Sequence, residues 1–291
     1  METTPGAVVV AVGGQGATAA VEYGAGEAMR RHRTLHLVHA VPLDPADHVD
    51  AAGETELLED ATRRATSLLG GLGLVTSALV PGQPVPVIAE AAHGADLVVV
   101  GRCAESRRTH PYVRSVTGGI GARVDVAVVS VPDEWRPRAG VPTVVAGVND
   151  PEKCSDVLVA AFAAARDRRA RLLVVSTMWR PAEVHLSDPG WAQRVEDELA
   201  SALEVAGAAY PDVPVELHVR NARAGEALIE ASQHADLVVV GRHNSLLPSG
   251  SHLGPIARSV LRESACPVLL ATPRILHQVR MRASRKVTSP S

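Results

Sequence analysis

Aromatic residues are scarce in this chain. They make up 2% of its 291 residues, with one Phe, three Trp and three Tyr. Its cores must therefore be built from Val, Leu, Ala and Ile, and a hydrophobic content of 46% is enough for that. Cysteine is scarce too. Cys103, Cys154 and Cys266 form an odd set without paired spacing, which argues against a disulfide framework. No charge of one sign dominates: the formal net charge is −3, so there is no electrostatic case for a nucleic-acid partner. No apolar run approaches the ~18 residues of a membrane span. The start, Met1-Glu2-Thr3-Thr4-Pro5, lacks the basic and apolar regions of a signal peptide. Together these absences point to a soluble cytoplasmic protein with no membrane or nucleic-acid partner.

What the chain does have is an internal repeat. Ala95-Asp96-Leu97-Val98-Val99-Val100-Gly101-Arg102 returns as Ala235-Asp236-Leu237-Val238-Val239-Val240-Gly241-Arg242, 140 residues later. The same offset maps Arg114-Ser115-Val116 onto Gly254-Pro255-Ile256. It also maps Asp125–Val129 onto Ala265–Leu269. A solenoid repeat runs only ~20–50 residues. This period is that of a whole domain, and the length fits two domains of about 100–150 residues. We expect one domain over 1–132, a second over 142–273, and a Pro-rich, charged linker at 133–141 between them. The basic tail at 274–291 reads as solvated chain.

Each half alternates β-branched runs with longer amphipathic ones. Strands are expected at Ala7–Val12, Thr34–Ala40, Leu74–Val80, Leu97–Gly101 and Val126–Val131, and again at Thr143–Val148, Arg171–Thr177, Val213–Val219, Leu237–Gly241 and Val268–Ala271. Helices are expected at Ala17–Arg31, Glu54–Leu69, Pro84–His93 and Ser115–Arg123, then at Cys154–Arg168, Gly190–Ala209, Gly225–His234 and Gly254–Glu263. Strands as continuously apolar as Leu97–Val100 imply burial on both faces. The fold class is therefore α/β, two tandem doubly wound domains with five parallel strands each. Ligands of such sheets sit at the carboxyl ends of the strands, where the strand order reverses.

The loop after the fourth strand opens onto a helix in both halves. Gly101 and Ala104 are followed by Arg114-Ser115, and Gly241 and Asn244 by Gly254-Pro255. Their spacing is that of a Gly, two residues, Gly, nine residues, Gly, then Ser or Thr. Here the chain resembles the universal stress protein family. Ala95–Gly101 is similar to that family's fourth strand, Ser264–Leu270 to its fifth, Leu35–Val41 to its second and Pro81–Pro84 to its third-strand exit. The resemblance implies an adenine-nucleotide alpha hydrolase-like fold, two domains packed as an internal pseudo-dimer, and homodimers of the chain. It also implies an adenine-nucleotide pocket lined by Gly13, Val38, Gly82, Gly101, Ala104, Ser115 and Val116 in the first half and by Asn149, Gly241, Asn244 and Gly254 in the second.

Several of these positions depart from the family pattern. Ala104 and Arg114 replace glycines, Asn244 replaces another, and Pro255 stands where Ser or Thr would. Pro255 suits a first helical turn but removes an N–H and a hydroxyl. The Asp that ends the first strand in nucleotide-binding members is Gly13 in one half and Asn149 in the other, with Asp150 displaced by one. The expected function is a non-catalytic stress-response or regulatory module with degenerate nucleotide pockets, acting through an unknown protein partner or another small molecule. The competing reading is an ATP-binding switch with slow hydrolysis, using mainly the first-half pocket.

The remaining candidates are weaker. Gly13-Gly14-Gln15-Gly16 lacks dinucleotide spacing and reads as a tight turn. The pairs His36/His39 and His243/His252 show no metal-ligand triad. Cys103, beside Arg102, Arg107 and Arg108, is placed for a lowered thiol pKa. Cys154 falls in a first helical turn, where a thiolate is favoured, and Cys266 reads as core.

Overall fold

The computed structural model describes residues 5–13, 17–41, 51–102, 116–179, 190–242 and 253–272. The chain divides into two units, Met1–Arg136 and Pro137–Ser291. In the first unit, β1 (Val8–Val12), β2 (Leu35–Val41), β3 (Val75–Pro81), β4 (Leu97–Arg102) and β5 (Ala127–Pro132) alternate with α1 (Ala17–Arg31), α2 (Ala51–Leu69), α3 (Pro84–Ala91) and α4 (Val116–Gly121). All four strand pairings are parallel, in the order β3-β2-β1-β4-β5. The order reverses at β1, which lies between β2 and β4.

The second unit repeats this plan. Its strands are β6 (Thr143–Val148), β7 (Arg171–Thr177), β8 (Val215–Arg220), β9 (Leu237–Gly241) and β10 (Val268–Ala271). Its helices are α5 (Ser155–Arg168), α6 (Trp191–Gly207), α7 (Ala224–Ser232) and α8 (Pro255–Glu263). The strands run parallel in the order β8-β7-β6-β9-β10, with the reversal at β6. This is the doubly wound arrangement that the alternation predicts. Among the described residues, no helix is long and apolar enough to cross a membrane.

Val8–Val10 and Leu97–Val99 have no exposed surface, and Val238 and Val239 have none either. Burial on both faces explains their continuous apolar runs. At one end of each unit's strand order, β3 and β8 alternate instead between half-buried and exposed positions. The Asp of each repeated octapeptide ties strands together at their amino ends. Asp96 accepts from Arg33 Nε at 2.8 Å, and Asp236 accepts from the Thr143 backbone N–H at 2.7 Å. The conserved spacing of the octapeptide thus serves the sheet at one end and the strand exits at the other.

Close approach of helix to sheet relies on two glycines. A Cβ at Gly24 of α1 would run into Val10 of β1. A Cβ at Gly147 of β6 would come within 2.7 Å of Leu228 on α7. The segment expected as a linker is tied down at both ends. Trp135 packs edge-on against Tyr23, with ring centroids 5.3 Å apart. Arg138 donates to the carbonyls of Gln233 and Ala235, at 2.5 and 3.1 Å. A cation there also meets the negative end of α7.

Candidate functional site

The second unit carries a cavity of about 110 Å³ at the point where its strand order reverses. Gly147, Val148 and Asn149 line it from the exit of β6, Val175 and Thr177 from β7, and Val240 and Gly241 from β9. The opposite wall is made of helix starts. Lys153 and Cys154 lead into α5, Ala224 opens α7, and Gly254, Pro255, Ile256 and Ala257 open α8. Leu228 closes the floor, held against Gly147 by that residue's missing Cβ.

None of these three helices has its N-terminus capped by a side chain. Each therefore presents backbone N–H groups that lack an intrahelical partner, with a partial positive charge at the helix end. In α8, Gly254 is the extended residue before the helix, and its own N–H donates to Arg242 O at 2.9 Å. Pro255 occupies the first helical turn, where its missing N–H is one that would have no helical partner anyway. Ile256 and Ala257 stand in the first turn of that helix, lining the cavity. Acidic residues are present in two first turns, Asp156 in α5 and Glu226 in α7, and Glu226 pairs with Arg223 at 3.6 Å.

Three titratable groups stand among the lining residues. Lys153 Nζ lies 3.2 Å from Asp150, and its hydrogen bond holds that carboxyl below the usual range. Asp150 also accepts from the Glu152 N–H at 3.0 Å, which closes the turn between β6 and α5. Burial pushes the Cys154 thiol up, and its S–H donates to Pro151 O at 3.2 Å. The sequence position of Cys154 favours a thiolate; the structure shows why desolvation wins, since the side chain is 4% exposed.

The matching place in the first unit is built differently. His39 pairs with Val12 in the strand register as Ser176 pairs with Val148 in the second unit. The His39 Nδ1–H donates to Val12 O at 2.7 Å, and Nε2 pairs with the Glu54 carboxylate on α2. A Cβ at Gly13 would stand 3.5 Å from His39 Nδ1. An imidazole ring therefore packs beside the end of β1, where the second unit has the small Ser176. His36 is buried too, with Nδ1 2.8 Å from Thr76 Oγ1. Among the described residues no cluster of three or more His, Cys, Asp or Glu could hold a metal.

Of the residues singled out by sequence, Asn149, Gly241 and Gly254 meet in the second-unit cavity. Gly13 and Gly101 lie at the exits of β1 and β4, and Val116 starts α4. Gly82 follows β3 with φ +137°, a conformation that favours glycine. Val38 is fully buried, in register with Ala11 and Ala78. Ala104, Ser115 and Asn244 lie outside the described residues, as do Cys103, His243 and His252. Sequence reasoning passed over Lys153, Thr177 and Leu228. Lys153 had a signal: an Asp-x-x-Lys turn between a strand and a helix.

The comparisons with known proteins agree with this architecture. The model of the universal stress protein family matches residues 6–132 and again 141–272. The universal stress protein Rv2005c of Mycobacterium tuberculosis is 30% identical over 286 residues, spanning 91% of this chain and 96% of its own. Rv2623 of the same organism is 28% identical over 279 residues, spanning 88% and 92%. Among solved structures, a universal stress protein from Archaeoglobus fulgidus superposes with a TM-score of 0.65 at 15% identity, covering 91% of this chain and 96% of its own, a likeness of fold. Two tandem family matches, on two doubly wound units, establish that this chain belongs to the universal stress protein family.

Proposed function

We propose that the chain is a non-catalytic regulatory module whose second unit binds a phosphate-bearing small molecule, while the first unit has lost that capacity. One observation carries the reading: three uncapped helix N-termini, with Lys153, converge on one cavity at the strand-order reversal. Such an arrangement favours an anion through aligned N–H groups and dipoles together. In the first unit the Asn149 position is Gly13, and the His39 ring packs beside it. Pro255 removes one N–H and a hydroxyl from the second-unit site, and in this reading Ile256, Ala257 and Lys153 supply the donors. The regulatory reading draws on the lining itself. Asp150 is held as a carboxylate by Lys153 and Cys154 as a thiol by burial, so neither is poised as acid or nucleophile.

The test is calorimetric titration of the nucleotide-stripped protein with Mg-ATP. One site per chain is expected. The substitution Gly254→Asp should weaken binding at least tenfold. Its carboxylate would cap α8 and compete for the N–H groups the phosphate needs, while leaving the helix as stable or slightly more so. Unchanged affinity in that variant, or two equivalent sites per chain, would overturn the assignment to the second unit. A variant with intact thermal stability and lost binding would support it.

A further inference from the structure

We propose that the edge of β3 is a self-association surface, on which a second copy of this chain pairs β3 against β3, antiparallel, about a two-fold axis at Ser77. It is independent of the second-unit cavity. β3 stands at the end of its unit's strand order, and among the described residues it pairs with β2 alone. Strand edges of this kind are ordinarily guarded by charged side chains that discourage pairing. β3 has no such guard, and the chain carries no charged residue from Ala65 through Ala89. The second unit shows the contrast. At the 140-residue offset, Thr76, Ala78 and Val80 of β3 stand where β8 has Glu216, His218 and Arg220, all three exposed. Arg220 is further engaged by Glu230 at 3.1 Å, and His218 by Glu216 at 3.8 Å. Two strands of one plan thus differ in the feature that decides whether an edge accepts another strand.

The uncharged stretch is also apolar at its surface. Every leucine exposed among the described residues lies in it: Leu68 at the end of α2, Leu72 and Leu74 in the turn that follows, and Leu79 on β3. Leu72 is 85% exposed and Leu74 61%. A groove of about 370 Å³ runs between α2 and β3, lined by Leu58, Glu59, Thr62, Arg63, Ser77 and Leu79. It gives room to side chains from a strand added beside β3.

The charges of the groove wall point to a second copy as the occupant. Glu59 and Arg63 stand one helical turn apart on α2, 3.7 Å from each other and mostly exposed. Asp60 pairs with Arg63 as well. An acid and a base placed this way are self-complementary under a two-fold axis. The α2 of a second copy runs antiparallel, so its Arg63 meets Glu59 and its Glu59 meets Arg63, the reciprocity that an isologous contact requires. The strand is self-complementary too. Antiparallel pairing centred on Ser77 sets Leu79 of each copy against Val75 of the other, with the small Ser77 pair at the axis. Pairing then satisfies the outer backbone groups of both strands and covers the leucines together.

The test is sedimentation velocity on the full chain from about 1 to about 100 µM, a span suited to an interface of modest size. The wild type should pass from monomer to dimer with rising concentration. Leu79→Lys should weaken the dimer at least about tenfold, because it sets a charge into the paired edge. Glu59→Arg and Arg63→Glu should each weaken it severalfold by placing like charges across the axis, and the two changes together should restore it. His218→Lys, on β8, should leave it unchanged. Thermal unfolding of every variant separates lost pairing from lost folding. The charge reversals lie on an exposed helix face, and they carry the test if Leu79→Lys fails to fold. A wild type that stays monomeric across the range, a dimer indifferent to Leu79→Lys, or a double charge reversal no better than the single ones would overturn the two-fold pairing of β3.

Discussion

At the residue scale, the difference between the two units comes down to a few side chains at the same register positions. Gly13 and His39 in one unit stand against Asn149 and Ser176 in the other. Gly13 leaves room beside β1, and the imidazole of His39 fills it, anchored by Val12 O and Glu54. The second unit has the smaller, buried Ser176 at that position, and Asn149 lines the cavity. Cys154 gives this scale a direct test. Its thiol is held up by burial, so less thiolate is present near neutral pH than in a free cysteine, whose pKa is about 8.5. Alkylation with iodoacetamide, read peptide by peptide, should be several-fold slower at Cys154 than for a free thiol at pH 7.5, and should keep rising above pH 8.5. The same shift makes the folded state hold its proton longer than the unfolded chain. Stability should therefore fall as pH rises past the unfolded value. Fast labelling of Cys154 at pH 7.5 in the folded protein would contradict this.

At the scale of elements, most of the fold is legible in the sequence because the repeat reads each half twice. β9 and β10 run over Leu237–Gly241 and Val268–Ala271, as the apolar runs predict. The bounds shift where chain-end hydrogen bonds decide them. β8 starts at Val215 rather than Val213, since Pro214 contributes only its carbonyl, to Leu172 N–H at 2.8 Å. α2 begins three residues early, at Ala51, because helix starts depend on capping more than on apolar period. The site is less legible. Gly241 and Gly254 fall on a recognisable loop spacing, but Thr177 and Leu228 reach the cavity from elements whose offset no motif records. The placement of His39 beside β1 is also hidden, because it needs Glu54 from α2 to hold the ring.

The packing of α5 against α6 carries its own prediction. Phe162, the one Phe in the chain, is 2% exposed and stacks on Tyr210 with centroids 5.8 Å apart. Arg166 lies 4.9 Å from the centre of the Tyr210 ring on its way to solvent. A Cβ at Gly207 would stand 3.2 Å from the Phe162 ring, so the glycine gives that ring its space on α6. Deleting the ring would leave a gap between Tyr210 and Gly207. Phe162→Ala should therefore destabilise the second unit by about 3–5 kcal/mol, measured by urea unfolding followed through Trp191 emission. A loss below about 1 kcal/mol would show that the site collapses around the deletion.

At the scale of the whole molecule, duplication has produced two units with one plan and different endings. Both keep the parallel sheet and the strand-order reversal that places a site. One packs its own histidine beside the reversal; the other has a cavity there, lined by three helix starts. On the proposed reading, the second unit alone binds the ligand. Hydrogen–deuterium exchange of the full chain, with and without saturating Mg-ATP, tests it most directly, because it reports each unit separately. Slowed exchange is expected at Asn149–Val157, Ala224–Leu228 and Ile256–Val260, with β1, α1 and α4 of the first unit unchanged. Protection confined to the first unit, or no protection anywhere at millimolar Mg-ATP, would contradict it.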